Sequence, residues 1–278
     1  MASITDCVSE GLKYPFNNVK KLLGLGVLFV IFELLSMAFS IKTFDIFRVT
    51  AHMLEKTNGH WATLKLSQLP NIDVNIAIGL LVAGFIVSLF IMGYQYNVIK
   101  FSIDKKEDLP GFSDIVGMFI NGVKYFIVSV VYNLPPVIIM FLGIWLVGDS
   151  SVLPIILLIS GLVLVICYFF LVMALNNMIA HDSLKKAFDF NEIIANISNL
   201  GWVKYIGIIL FTIIVFMIIN MAVGCVLSLL VPVFAATINN QALVVSTFIT
   251  ILEALFLSSY CSVFYNRVCG SIYRESIK

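Results

Sequence analysis

Long apolar runs separated by short charged connections dominate the chain. Six runs of 20 or more residues occur, and they are Leu22–Ile41, Val74–Ile99, Tyr125–Val147, Val152–Met178, Val203–Val233 and Ala242–Tyr265. At a rise of about 1.5 Å per residue, each run is long enough to cross a hydrocarbon core of about 30 Å. The pattern therefore predicts an all-α, polytopic transmembrane bundle with six spans. We expect the over-long fifth run to be tilted or broken near Pro232.

Composition supports the same conclusion. Only 12% of the 278 residues are charged and 60% are hydrophobic, and the mean hydropathy is +1.04. Soluble domains carry about 25% charged residues. The net charge of +1, without a long basic run, gives a nucleic acid no electrostatic footprint, so that class of partner is excluded. We expect the first run to be a span and not a cleaved signal peptide, because Glu33 interrupts it.

Positive charge is concentrated in alternate connections. Thirteen of the seventeen Lys and Arg residues lie before the first run, between the second and third, between the fourth and fifth, or after the sixth. The other four lie between the first two runs, and they are Lys42, Arg48, Lys56 and Lys65. Positive charge marks cytoplasmic loops. We therefore predict a multi-pass cell-membrane protein with both termini in the cytoplasm.

An internal repeat is visible when the sequence is shifted by 80 residues. Asn97 then falls on Asn177, and the pairs Lys105-Lys106 and Lys124-Tyr125 fall on Lys185-Lys186 and Lys204-Tyr205. A third copy is partly visible, since "EGLKY" near the start resembles "NGVKY" at Asn121–Tyr125. We predict one integral membrane domain, 1–278, built from three repeats at about 1–100, 101–180 and 181–278. Each repeat would be a cytoplasmic amphipathic helix followed by a transmembrane hairpin.

The amphipathic helix is clearest in the middle copy. Six apolar residues recur there at helical spacing and share one face, and they are Phe112, Ile115, Val116, Phe119, Ile120 and Val123. Pro110-Gly111 predicts a turn before it, and Ser113 is the predicted N-cap. We expect this helix to lie at the cytoplasmic interface with its apolar face toward acyl chains or neighbouring spans. A helix of a soluble domain would show the same stripe, but no soluble core exists here for it to join.

The other two copies carry similar stripes. In the first, Ile4, Val8 and Leu12 share a face, and Ser3 with Asp6 forms a candidate capping box. In the third, the phase of the stripe slips relative to the other two, and its residues are Phe190, Ile193, Ile194, Ile197 and Leu200.

Four motifs carry a resemblance to a known family. They are "YPFNNVKKLLGLGVL" near the start and "GYQYNVIK", "KEDLPGFSDIVGMFINGVK" and "YNLPP" in the middle, and together they extend from Tyr14 to Pro136. In these motifs the chain resembles the DUF4013 family, a domain of unknown function found in archaeal and bacterial multi-pass membrane proteins. The resemblance implies a polytopic membrane protein. It implies no activity and supplies no catalytic residues.

The connection between the first two runs, Ile41 to Asn71, is the sizeable one on the outer side. Phe44, Phe47, Ala51 and Leu54 share a helical face there, which predicts a surface helix against the outer leaflet. His52 and His60 lack a third ligand at fixed spacing, so no metal site is predicted. The five cysteines show no ligand or disulfide spacing, and no cofactor is predicted.

Two acidic residues interrupt the apolar runs. Glu33 lies about twelve residues in from the cytoplasmic end of the first run, and Glu253 lies thirteen residues before Asn266 near the end of the sixth. Both depths come to roughly 18–20 Å, so the carboxyl groups would lie at one depth if the helices were neighbours. One hypothesis is a pair that shares a proton or binds a cation in a polar cavity. The alternative is that each is protonated and hydrogen-bonded within the bundle, and this alternative is favoured.

Further candidates lie in the third and fifth runs. Asn133, with Pro135 and Pro136, would free backbone carbonyl groups in mid-helix, as in the broken helices of transporters. A simple proline kink is the equal alternative. Asn220 predicts a hydrogen bond between helices.

Two functions remain after motifs for hydrolases, metal-dependent enzymes and phosphate loops fail to appear. The favoured one is a non-catalytic accessory or organising protein whose cytoplasmic interfacial helices contact lipid or a partner. The expected partners are the lipid bilayer and either another membrane protein or further copies of the chain. The alternative is a small permease that uses Glu33 and Glu253 in a polar path. A membrane-embedded enzyme ranks third.

Overall fold

The protein is an all-helical bundle in its described parts. A computed structural model describes residues 3–56, 71–147, 152–237 and 242–277, and it places no strand in these ranges. The helices are α1 Ile4–Lys13, α2 Val19–Lys56, α3 Asn71–Ile103, α4 Ile115–Val147, α5 Leu153–Ala180, α6 Phe190–Leu200, α7 Trp202–Thr237, α8 Ala242–Leu252 and α9 Ser259–Ser276. The turns Tyr14–Asn18 and Leu184–Phe188 are 3₁₀-helical, and Glu253–Ser258 is a π-helical segment between α8 and α9.

Six helical segments are long and apolar enough to cross a membrane, as predicted. Five of the spans are α2, α3, α4, α5 and α7, and the sixth is α8 with the π-helical segment and the start of α9. α7 continues through Pro232 without a break in the helix. The sixth helical segment extends beyond the apolar run, because α9 continues as a buried helix to Ser276.

The core lies at one end of the bundle. The N-terminal helix, the connection 104–114, the segment 181–201 and the end of α9 all meet there, and we call this end the inner end. Fully buried side chains such as Tyr96, Tyr205 and Phe264 cluster near it. Away from it the spans expose much of their apolar surface, and Trp145 is 72% exposed. Lipid is the solvent that suits such a surface.

Glycines set the closest approach between spans. A Cβ atom on Gly122 of α4 would lie 1.8 Å from the carbonyl oxygen of Leu89 in α3, and one on Gly93 would lie 1.8 Å from that of Met118. A Cβ on Gly26 of α2 would lie 2.2 Å from the carbonyl oxygen of Leu255 in the π-helical segment. Small residues therefore allow α3 to contact α4, and α2 to contact the sixth span, through their backbones.

The middle amphipathic segment is not a separate helix, contrary to the prediction. α4 begins at Ile115 and runs unbroken into the third span. Pro15 lies in the 3₁₀ turn that separates α1 from α2, and Gly201, with φ of +92°, separates α6 from α7. Between Ile115 and Tyr125 there is no proline, and Gly117 and Gly122 do not have positive φ. The threefold repeat therefore remains a prediction, with short leading helices in two of its three copies.

Two local expectations also change. The N-cap of α4 is Asp114, whose carboxylate accepts from the backbone N–H of Gly117 at 2.8 Å, and not Ser113. The outer stripe is the continuation of α2 to Lys56 and not a separate surface helix, with Phe44 and Phe47 strongly exposed. The side chains of Ala51, His52 and Leu54, and the whole of His60, lie outside what the structure describes.

Candidate functional site at the inner end of the bundle

An ion-paired cluster joins the two ends of the chain. Glu10 of α1 lies 2.6 Å from Arg267 and 2.5 Å from Arg274, both on α9. The Arg267 side chain is only 5% exposed and that of Glu10 is 30% exposed, so the guanidinium group is the partner that is removed from water. The cluster forms because α1 buries its apolar face, with Cys7, Val8 and Gly11, against the bundle.

Arg267 is satisfied on several sides. Its guanidinium group donates to the carbonyl oxygen of Lys106 at 2.7 Å and lies 4.0 Å from the centre of the Tyr14 ring. The Ser102 hydroxyl in turn donates to the backbone carbonyl of Arg267 at 2.7 Å. A buried charge with this many partners fixes the geometry around it. Arg267 therefore links α1, the end of α3 and α9.

The N-terminal motif binds the charged connection after α3. The Tyr14 hydroxyl donates to the carbonyl oxygen of Asp108 at 2.7 Å, and Asn17 donates to that of Glu107 at 2.7 Å. Lys21 forms an ion pair with the Asp108 carboxylate at 2.6 Å. Hydrogen bonds from Lys21 and Asn18 lower the pKa of Asp108 below its ordinary value. The segments "YPFNNVK" and "KEDL" therefore bind each other directly.

A second set of contacts joins α3, α4 and the segment after α5. The Asp182 carboxylate accepts from Lys124 at 2.9 Å and from the Tyr96 hydroxyl at 3.0 Å. These hydrogen bonds, first that from Lys124, lower the pKa of Asp182. Nearby, Asn121 donates to Asn97 at 3.1 Å. These residues belong to the motifs "GYQYNVIK" and "NGVK" and to the segment that follows α5.

α6 packs at the inner end of the bundle against α5, α7 and α9. Asp189 caps the helix by accepting from the backbone N–H of Glu192, and Lys186 pairs with both carboxylates. Ile193, Ile197 and Leu200 are buried against the bundle, whereas Phe190 and Ile194 are exposed. We name residues 3–18, 104–114, 181–201 and 267–277 together the inner cap.

The amphipathic stripe of the middle copy is divided between two environments. Phe112 stacks on Tyr94 of α3 with ring centroids 4.9 Å apart, and Phe119 lies 5.5 Å from Phe90. The outward residues of the stripe are Ile115, Val116 and Ile120, and Val123 is half-buried. In α1 and α6 the predicted apolar residues mostly face neighbouring helices. The contact with neighbouring spans, one of the two predicted environments, is therefore present.

The capping box of α1 is confirmed. The Ser3 hydroxyl accepts from the backbone N–H of Asp6, and the Asp6 carboxylate accepts from the backbone N–H of Ser3 at 2.7 Å. This exchange satisfies two backbone donors at the start of the helix.

Glu33 and Glu253 lie on helices that touch, but they are offset in depth. Gly26 contacts Leu255, and Thr247 donates to the Met37 sulfur at 3.6 Å, so the first and sixth spans run antiparallel in contact. Glu33 lies between Gly26 and Met37 on the same face of α2. The contacts Gly26–Leu255 and Met37–Thr247 each mark residues at the same depth on the two helices. Measured along α2 between these two points, Glu33 and Glu253 are offset by about four residues, or roughly 6 Å along the axis.

Both carboxyl-bearing side chains are half-buried, and neither forms a hydrogen bond or ion pair with a residue that the structure describes. A cavity lies between the spans and is lined by residues of all six, including Gln95 and Tyr125, but neither Glu33 nor Glu253 lines it. Their functional role remains a prediction.

The polar residues of the third and fifth spans have local partners. Asn133 is exposed and donates to the carbonyl oxygen of Ser129 in its own helix at 2.7 Å. Pro135 and Pro136 lie within α4, and Ser160 of α5 donates to the buried carbonyl oxygen of Pro136 at 2.8 Å.

Asn220 contacts the sulfur of Cys261 at 3.6 Å, which confirms a hydrogen bond between helices.

Comparison with known proteins gives one match. The family model described as "Protein of unknown function (DUF4013)" matches residues 76–228. The chain belongs to the DUF4013 family. The match confirms the resemblance, but its extent differs from the motifs that suggested it, since "YPFNNVKK" lies before the matched residues. No curated protein and no solved structure shows significant similarity to the chain.

Sequence reasoning missed the ion-paired cluster of this DUF4013 protein. Glu10, Arg267 and Arg274 had no local partner in the sequence pattern, because 257 residues separate Glu10 from Arg267. A usable signal was present in α9, where two arginines seven residues apart occupy one face of a helix that continues past the last apolar run.

Proposed function

We propose that this DUF4013 protein is a non-catalytic accessory or organising protein of the cell membrane. It would contact lipid headgroups or a partner membrane protein through its cytoplasmic inner cap. The observation that carries this proposal is the reciprocal binding of the terminal segments and connections, centred on Glu10, Arg267 and Arg274. Such a cap is a preformed surface, which a protein needs if it is to hold a partner in a fixed orientation.

The margin of the inner cap favours contact with lipid headgroups. Phe16 is 65% exposed and Val203 is 87% exposed, and the exposed Trp202 lies beside Val203. Tryptophan and lysine side chains are typical of the membrane–water interface. The exposed lysines of the cap and its margin are Lys13, Lys20, Lys105, Lys106 and Lys185. Each such charge near an anionic leaflet contributes about 1 kcal/mol to attraction.

Lipid co-purification tests the headgroup contact. The variant Lys13→Glu/Lys20→Glu/Lys105→Glu is purified with its native lipids and compared with wild type by lipid mass spectrometry. We expect anionic lipid to fall severalfold in the triple variant. The control is Lys42→Glu at the outer end, which should retain the wild-type ratio. An unchanged ratio in the triple variant would remove the headgroup part of the proposal.

Site-specific photo-crosslinking tests the partner contact. A photoreactive residue replaces Ser9, on the exposed face of α1, or Leu158, which is 64% exposed in the first two turns of α5. In native membranes we expect one discrete protein adduct from position 9 and lipid adducts from position 158. Homo-oligomers give an adduct of twice the chain mass. Lipid adducts alone at both positions would contradict a protein partner.

The permease alternative rests on Glu33 and Glu253, which lie on the first and sixth spans where these two helices contact each other. In proteoliposomes that contain a pH-sensitive dye, a permease of this kind would conduct protons or cations, and Glu33→Gln and Glu253→Gln would abolish the flux. We expect flux no greater than in protein-free vesicles. A flux that both variants abolish would replace the accessory function with transport.

A further inference from the structure

A cavity lies at the centre of the bundle, directly outward of the inner cap. Its volume is roughly 630 Å³, and all six spans contribute to its wall, including Phe29, Gln95, Tyr125, Tyr168, Phe216 and Tyr265. A smaller space of roughly 170 Å³ shares Tyr125, Tyr168, Tyr265 and Asn266 with it. The two volumes together lie in the range of sites that bind small molecules.

One buried acceptor in this wall lacks a partner. Asn266 is 2% exposed, and its side-chain amide donates to the carbonyl oxygen of Ser262 at 2.8 Å. Its Oδ1 atom is buried and accepts no hydrogen bond from any residue that the structure describes. Such an oxygen lowers stability unless a donor reaches it. Asn266 lines both spaces, so the side chain that carries this oxygen borders the cavity.

Tyr125 provides the complementary group. Tyr125 lines both spaces, and its hydroxyl has no hydrogen-bond partner within the described ranges. Its neighbours are already paired, since Tyr168 and Tyr265 share a hydrogen bond of 2.6 Å and Gln95 donates to Ser262 at 3.1 Å. Asn266 therefore offers a ligand an acceptor, and Tyr125 offers it a donor. A single hydroxyl group satisfies both, because it donates one hydrogen bond and accepts others.

The wall favours an uncharged amphiphile. Among the residues that the structure describes, those lining the two spaces include no Asp, Glu, Lys, Arg or His. An ionised ligand would therefore lack a counter-charge within a membrane interior. Toward α2 and α7 the wall is mainly apolar, with Phe29, Ile213, Phe216 and Met217. The polar residue on this side is Asn220, whose amide donates to the Cys261 sulfur. A polar head at Asn266 and Tyr125 with a hydrocarbon body along α7 matches this division.

Access is from the side of the bundle. Met217 and Phe216 line the cavity and are also 63% and 37% exposed, so the opening lies on the lipid-facing surface of α7. On the inner side, Arg267 follows Asn266 directly and belongs to the inner cap. A ligand dissolved in the bilayer therefore meets the opening before it meets the cap.

We propose that this cavity binds a membrane-soluble, uncharged lipid alcohol. Its hydroxyl group donates to Asn266 Oδ1 and accepts from the Tyr125 hydroxyl, and its hydrocarbon chain passes between α2 and α7. The proposal goes beyond the accessory function, which concerns the inner cap and not the space between the spans.

The test uses the full chain in lipid nanodiscs and a hexadecanol probe that carries a diazirine and an alkyne. We expect saturable photolabelling of peptides that line the cavity. Unmodified hexadecanol should compete, whereas hexadecyl methyl ether, which lacks the donor, and ionised hexadecanoate should compete poorly. Asn266→Leu should raise the half-labelling concentration about tenfold, and Tyr125→Phe should raise it severalfold.

Matched controls separate binding from folding. Asn133→Leu makes the same change at an exposed position of α4 and should label as wild type does. Without probe, Asn266→Leu should melt at or above the wild-type temperature, because it removes an unpaired carbonyl. Should Asn266→Leu fail to fold, Tyr125→Phe decides, since it removes one oxygen atom. Wild-type labelling in Tyr125→Phe, or equal competition by hexadecanoate, would overturn the proposal.

Discussion

Glu10 and Arg267 lie 257 residues apart in the chain, yet a carboxylate oxygen of one is 2.6 Å from a guanidinium nitrogen of the other. Arg274, two helical turns further along α9, binds the second oxygen of the same carboxylate. The first and last helices are therefore joined at the inner end of the bundle. The inner cap is a product of tertiary structure and not of any one segment.

The first prediction concerns this cluster. Glu10→Gln removes the carboxylate charge that pairs with Arg267, whose side chain is 5% exposed, and with Arg274. We expect the free energy of unfolding to fall by about 3 kcal/mol, measured by thermal or denaturant unfolding in detergent. The control Glu107→Gln makes the same change at an exposed residue. Equal losses in the two variants would show that the cluster does not stabilise the protein.

A second prediction concerns the crossing of α3 and α4. Gly93→Ala and Gly122→Ala each place a Cβ atom 1.8 Å from a backbone oxygen of the other helix, so the helices must separate. We expect each to lower the free energy of unfolding by about 2–3 kcal/mol. The control is Gly84→Ala, which lies in α3 like Gly93. A Cβ atom at Gly84 would have no neighbour within 4 Å, so this variant should be neutral or slightly stabilising. A similar loss in Gly84→Ala would refute the steric explanation.

A third prediction concerns the proline-containing part of α4. Ser160 donates from α5 to the buried carbonyl oxygen of Pro136, so Ser160→Ala should cost about 1 kcal/mol. Ser88→Ala removes a hydrogen bond within one helix at an exposed position and should cost less. Unfolding in mixed detergent micelles measures both. No difference between the two serines would mean that the hydrogen bond does not hold α4 to α5.

The fourth prediction is a dependence on pH. The pKa of Asp182 is lowered from 3.8 in the folded protein, so its contribution to stability is present above pH 3.8 and is lost as the pH falls through the lower folded value. Asn tolerates the left-handed backbone that Asp182 adopts, with φ of +47°. Asp182→Asn should therefore melt below wild type at neutral pH, and the difference should vanish in acid. A difference that is constant down to pH 3 would argue against the ion pair with Lys124.

Orientation in the membrane is the fifth prediction. Ser9→Cys and Lys105→Cys should react with a membrane-impermeant maleimide in inside-out vesicles and not in intact cells, because both positions belong to the inner cap. Lys42→Cys should show the opposite preference. Wild type, which retains its own five cysteines, sets the background. Labelling of positions 9 and 105 from opposite sides would contradict the arrangement of the spans.

Hydropathy alone determined the spans of this DUF4013 protein. In a membrane, an apolar run of 20 or more residues is stable as a helix, because the helix satisfies all its backbone hydrogen bonds within one segment. Local chemistry also predicted the capping box at Ser3 and Asp6, since both groups lie within one turn. The same local rules misplaced the middle interfacial helix. Its apolar stripe was real, but neither a proline nor a glycine with positive φ separated it from the third span, so the helix continued from Ile115 to Val147.

Tertiary structure alone decided which polar groups meet. Glu10 finds Arg267, Asp108 finds Lys21, and Asn266 is left with an unpaired oxygen beside the central cavity. The offset between Glu33 and Glu253 likewise depends on how α2 crosses the π-helical segment, which periodicity does not encode. The physical reason is range: hydrophobic burial acts on each segment separately, whereas hydrogen bonds and ion pairs require distances near 3 Å between groups far apart in the chain.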